Sequence, residues 1–181
     1  MMFEFSITIK FLFVNTLILI ALAIYTFKYR SANGGIYLFL LLIVDAIWSL
    51  CSAFEQMSDT VFLKVFWSKI SYLGVSTASL LLFLFILLYC GRGKKLTLLQ
   101  HILLWIIPFI IIIAAFTNDL HGLIWTSVDL IPNETGFGAQ YNHGILFWVM
   151  AVYSYILLAI GSMIVISTAY KSHNVYKRQL F

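Results

Sequence analysis

Charge is what this sequence has least of. Asp, Glu, Lys and Arg make up 10% of its 181 residues, against 62% hydrophobic, whereas an ordinary soluble domain is about 25% charged and about 45–50% apolar. That shortage excludes a soluble globular protein. Cysteine is nearly absent as well. Cys51 and Cys90 fall at opposite depths of neighbouring predicted spans, too far apart for the Cα separation of about 4.4–6.8 Å in a disulfide, so they read as apolar buried thiols. The first apolar block has no basic leader and no small-residue cleavage site, and it is too long for a signal core, so it is read as a span. No Ser or Cys sits in a nucleophile elbow with a base nearby. The fifth apolar block holds no Lys before Lys171, which counts against a retinal receptor. The lack of inverted repeats and of paired broken helices counts against a transporter.

What the chain does have is apolar residues in blocks of the about 20 that a bilayer crossing needs. Five spans are predicted, over residues 6–27, 36–56, 61–90, 96–116 and 144–170, forming a single domain over residues 1–181. The fold class is an all-α membrane protein, a polytopic helical bundle. Of the eleven basic residues, Lys28, Arg30, Arg92, Lys94, Lys95, Lys171, Lys177 and Arg178 fall on one side and Lys10, Lys64 and Lys69 towards the other. This bias puts the N-terminus outside and the C-terminus in the cytoplasm of a multi-pass plasma (inner) membrane protein. The same clustering explains the net charge of +4 without a nucleic-acid partner.

Charges inside the apolar blocks carry the most information. Asp45, Ser49, Ser52 and Gln56 recur at helical spacing and share one face of the second span. A carboxylate or ammonium in lipid costs at least about 2.5–3.5 kcal/mol, so this face and Glu55, Lys64 and Lys69 should look into a shared interior cavity. If the second and third spans are antiparallel, Glu55 comes near Lys64, Lys69 near the Ser49–Ser52 level, and Asp45 level with Tyr72. Two readings stay open: these charges clip two helices together, or they bind a ligand. The small residues from Gly74 to Ser79 suit close helix packing, and Pro108 should kink the fourth span. Lys10 reads as snorkelling to the interface and His101 as interfacial. Residues 117–142 form a long connector, read either as a hairpin turning at Pro132–Gly136 or as an amphipathic helix. Asp119, His121 and His143 match no standard zinc spacing; His121 reads as an anchor for the connector.

Several motifs point further. Trp48 with Glu55, the run from Phe66 and Trp67 through Lys69 and Tyr72 to Gly74, Tyr89-Cys90-Gly91-Arg92, Thr117 to His121 with Trp125, and Gly144 to Trp148 with Tyr153 and Tyr155 resemble the N-terminal seven-helix sensor region of bacterial membrane histidine kinases. The resemblance covers most of the chain. It implies a receptor coupled to a cytoplasmic output, a histidine kinase or a cyclic-dinucleotide synthase. Two departures stand out: five spans where the family has seven, and Ala78 or Ser79 where members often carry a proline in the third span. His173 lacks the context of a phosphoacceptor and no glycine-rich ATP lid is present, so the chain itself is not expected to be an enzyme. The expected function is therefore a sensor module. It would bind a small apolar or amphipathic ligand among spans two to five, beneath residues 117–142. The expected site comprises Asp45, Trp48, Ser52, Glu55, Trp67, Lys69, Tyr72, His121, Trp125, Trp148 and Tyr153, with no metal or cofactor. Expected partners are the lipid bilayer, that ligand and a cytoplasmic kinase or other output domain; a homodimer is compatible with this reading. A structural membrane subunit or anchor is the alternative, and a small ion-coupled transporter the third.

Overall fold

A computed structural model of the protein describes residues 7–93, 96–133 and 136–179, with the side chains of residues 133, 136–137 and 172–179 outside the description. Among the described residues five long helices are apolar and long enough to cross a membrane: α1 (Ile7–Phe27), α2 (Gly35–Met57), α3 (Val61–Tyr89), α4 (Leu98–Phe116) and α6 (Ile145–Gln179). The polytopic all-α bundle is thus found. Between α4 and α6 lie a single-turn helix, α5 (Asn118–His121), and two strands, β1 (Trp125–Asn133) and β2 (Gly136–His143).

Local chemistry sets the helix ends. The Thr60 hydroxyl accepts from the Leu63 amide at the start of α3. Thr97 and Gln100 form a reciprocal capping box at the start of α4, which satisfies amides that the first helical turn leaves free. Gly34 enters α2 at φ 84, a left-handed conformation that costs a glycine little.

α3 is the axis of the bundle. It packs against α2, α4 and α6, while α1 packs against α2. Of its most apolar stretch 61% is buried, against 17–22% for the other four, so α3 is the interior helix and the others leave their outer faces exposed. One cluster joins Tyr72 of α3 to Ile111, Ala114 and Ala115 of α4, Ile124, Trp125 and Met150. A second joins Leu80, Phe83, Leu84 and Leu87 to Leu157 and Ile164 of α6. Gly74 fixes how near α2 comes: a Cβ there would stand 2.5 Å from the Val44 carbonyl oxygen and 2.8 Å from the Trp48 Cβ. Buried hydroxyls in this stretch are satisfied locally, Ser76 donating to the Tyr72 carbonyl and Thr77 to that of Leu73, while Ser79 donates to Ser154 of α6.

Of the two readings of residues 117–142, the hairpin is found. β1 and β2 pair antiparallel from Trp125 opposite His143 to Asn133 opposite Gly136, with an irregularity between Trp125 and Ser127; Glu134 and Thr135 of the expected turn lie outside the described residues. The hairpin sits at the end of the bundle where α2 meets α3, called here the hairpin end. From it α6 runs without a break for 35 residues, past the candidate span Ile145–Lys171.

Candidate functional site

At the hairpin end, polar groups close on one another. Tyr141 of β2 donates its phenolic hydrogen to Glu55 Oε1 at 2.5 Å and shares a hydrogen bond of 2.7 Å with Ser68 Oγ. One strand residue thereby ties the hairpin to both α2 and α3. Burial, and then the hydrogen bond to Glu55, push the Tyr141 phenol up from its ordinary value, so it stays a donor. Lys64, 1% exposed, donates to the main-chain carbonyl of Glu55 at 3.0 Å. The expected proximity of Glu55 and Lys64 is there, but the ammonium bonds to a main-chain carbonyl of the last turn of α2, which also accepts from the Ser58 amide.

Lys69 departs from its expected level. It pairs with Asp119 of α5 rather than facing Ser49 and Ser52. The cause is angular: five residues at about 100° each turn Lys69 by about 140° from Lys64, so both cannot face α2. Tyr72, three residues on, likewise turns to the hairpin and meets Trp125 edge to face at 5.1 Å. Trp125 in turn lies 5.5 Å from the Tyr141 ring. Buried Asn118 closes this connector. Its Oδ1 accepts from the amides of Ile124 and Trp125, and its Nδ2 donates to the Trp125 carbonyl. His121 anchors the same turn, with Nδ1 accepting from the Leu123 amide and Nε2 paired with Thr117 Oγ1.

The other expected site residues lie elsewhere. Trp67 stacks on Phe54 at 4.7 Å, between α2 and α3. Trp148 is 57% exposed and stands edge-on to Phe147. Trp148 and Tyr153 line an apolar groove with Ile107, Val149, Val152 and Ile156, and Tyr153 donates to the Leu104 carbonyl at 2.7 Å.

Asp45, Trp48 and Ser52 form a third group. With Leu12, Asn15 and Leu19 of α1 and Ser49 and Gln56 of α2 they line a groove of about 540 Å³. Its back wall is tied by polar bonds: Asn15 Nδ2 donates to Ser49 Oγ at 3.1 Å, and Ser49 donates to the Leu12 carbonyl at 3.0 Å. The eleven expected residues are therefore not gathered round one central chamber. α3 fills the centre with Leu80, Leu81 and Leu84, all at or below 2% exposure, and the polar stripe of α2 opens on the α1 side.

Tyr141 and Asn118 carry junction roles that sequence reasoning did not assign. A tyrosine in a connector carries no periodic signal of its partner, and Asn118 stood out only within the motif running to His121. Among the described residues no three of His, Cys, Asp and Glu are placed to hold a metal ion.

One family model, described as the N-terminal 7TM region of histidine kinase, matches residues 11–181. No curated protein and no solved structure matches the chain.

Proposed function

Since the chain belongs to the family of N-terminal seven-transmembrane regions of histidine kinases, we propose that it is a receptor whose hairpin end and α1–α2 groove set the position of α6. The observation that carries this is mechanical. Tyr141 bonds to Glu55 and Ser68, β2 passes straight into α6, and the Gly144 and Leu146 amides donate back to Ile124 and Leu123. Motion of α2 against α3 at Glu55 is thus delivered to the start of a continuous helix of 35 residues. Near its other end α6 is gripped by Arg92, which donates to Ser167 Oγ at 2.7 Å.

A small amphipathic ligand seated in the α1–α2 groove would favour one spacing of α1 and α2. A signal passes only to the extent that the ligand binds one arrangement of the bundle more tightly than the other. The hairpin would face the extracytoplasmic side and α6 would lead to a cytoplasmic output.

The test joins a cytoplasmic histidine kinase domain to α6 and inserts one to four alanines between them. Kinase output that rises and falls with a period of about 3.6 residues supports transmission through α6. Output indifferent to every insertion overturns it. The packed centre around α3 favours a second reading, a membrane anchor that assembles partners through its helix faces, and indifferent output is its expected result.

A further inference from the structure

We propose that the groove between α1 and α2 takes an amphiphilic cation, its charged head between the Asp45 carboxylate and the Trp48 ring and its hydrocarbon chain along Leu12 and Leu19. This rests on the reading of the chain as a receptor and names the chemical class of its ligand. Among the described residues Asp45 is the one charged group lining the groove. It stands near the middle of α2, about 15 Å along the helix from Gly35. The other charges on α2 and α3 have partners: Glu55 holds Tyr141, Lys64 holds the Glu55 carbonyl and Lys69 holds Asp119. Asp45 has neither an ion pair nor a hydrogen bond among the described residues. An ionisable group left so at membrane depth marks a site for a counter-charge.

The surroundings define that counter-charge. Trp48, one turn away and 43% exposed, offers an aromatic face, which attracts a cation and gains nothing from an anion. Asn15 and Ser49 are occupied with each other, so they stiffen the wall, while Ser52 and Gln56 extend the polar side toward the hairpin end. Leu12 and Leu19 give α1 an apolar side. A groove of about 540 Å³ lies within the range of about 300–1,000 Å³ of small-molecule sites, which pair apolar walls with a few placed polar groups. A second copy of this face is the wrong occupant, because it would set Asp45 against Asp45. A transmembrane helix with a central lysine has the right charge, but the polar lining from Asp45 to Gln56 covers about 16 Å of helix, the length of a small molecule rather than of a span.

The experiment uses the protein in phosphatidylcholine nanodiscs. The probes are a long-chain alkylamine brominated near its amino end, and the matching alcohol. Contact quenching of Trp48 is read as the difference between the wild type and Trp48→Phe. The amine is expected to quench saturably, with affinity falling about tenfold or more in Asp45→Asn and returning in Asp45→Glu, while the alcohol shows no dependence on Asp45. Equal amine affinity in a normally folded Asp45→Asn protein overturns the proposal, and so does an alcohol that binds as the amine does. If Asp45→Asn fails to fold, loss of amine selectivity in Asp45→Glu overturns it instead. A polyleucine transmembrane peptide with a central lysine is the last arm. Asp45-dependent quenching by its brominated form that the amine cannot displace makes the groove a helix seat and overturns the small-cation reading. Binding is read here without any kinase, so a failed insertion scan and a failed quenching assay are distinct results.

Discussion

The two polar regions of α2 differ in how their charges are satisfied. At the hairpin end, Glu55, Lys64, Ser68 and Tyr141 answer one another. Ten residues earlier, Asp45 lines an open groove with Trp48, Ser52 and Gln56 and is answered by nothing among the described residues. Burying a polar group costs free energy unless it is hydrogen-bonded, so the first region is built to hold the fold together. The second carries a cost that the fold alone does not justify. One helix thus bears two polar faces, one answered within the fold and one not, about 80° apart at Glu55 and Asp45 when ten residues are wound at about 100° each.

The largest effect on this contrast should come from behind the groove. Gly74→Leu would drive a side chain into the Val44 carbonyl and the Trp48 Cβ, separating α2 from α3. Overpacking of this kind costs about 1–3 kcal/mol, and the upper end applies because the obstacle includes backbone. Unfolding by a denaturing detergent should show the loss, together with weaker protection of both the hairpin and the groove. Loss at one region without the other would show that α2 does not move as a unit.

Tyr141→Phe should act at the hairpin end alone. It removes the donor to a carboxylate, a bond of about 1.5–3 kcal/mol, discounted to about 1.5 because the junction is partly exposed. Hydrogen exchange of β2 amides checks it. The pH dependence has a definite sign. A folded phenol raised above the ordinary tyrosine value of about 10 contributes stability fully present below that value and lost as pH rises through the higher folded one. Protection of β2 in the wild type should therefore hold to at least about pH 10 and fall above it, with a smaller fall in Tyr141→Phe.

How much of this could be read from the chain follows the same division. The five spans were legible because apolar block length reports membrane crossing directly. The polar stripe from Asp45 to Gln56 was legible because helical spacing puts those residues on one face, and Gly74 because small residues mark close helix contact. The partner of Lys69 was not assigned, although the turn of about 140° from Lys64 was available to separate the two lysines. Levelling residues by distance from a turn fixes height and leaves azimuth free. The roles of Tyr141 and Asn118 were out of reach, since a connector's periodicity shows that it pairs with itself and not which helix ends it meets. Trp148 and Trp48 look alike in sequence, yet one borders an apolar groove and the other a polar one. Aromatic identity does not say which helix lies opposite.

The smallest stability change is expected at Asp45, and its smallness is informative. If Asp45 held α1 to α2, Asp45→Asn would strip a structural contact and cost as much as Tyr141→Phe. The α1–α2 contact is instead made by Asn15, Ser49 and the Leu12 carbonyl, with Phe13 edge-on to Phe54 at 5.9 Å. None of these bonds includes Asp45. Asp45→Asn strips no structural contact and relieves a costly charge, so it should lower stability by no more than about 0.5 kcal/mol, whereas Asn15→Ala should loosen α1 measurably in the same assay. A loss at Asp45 equal to that at Tyr141 would place the carboxylate among the clips and erase the distinction between the two faces of α2.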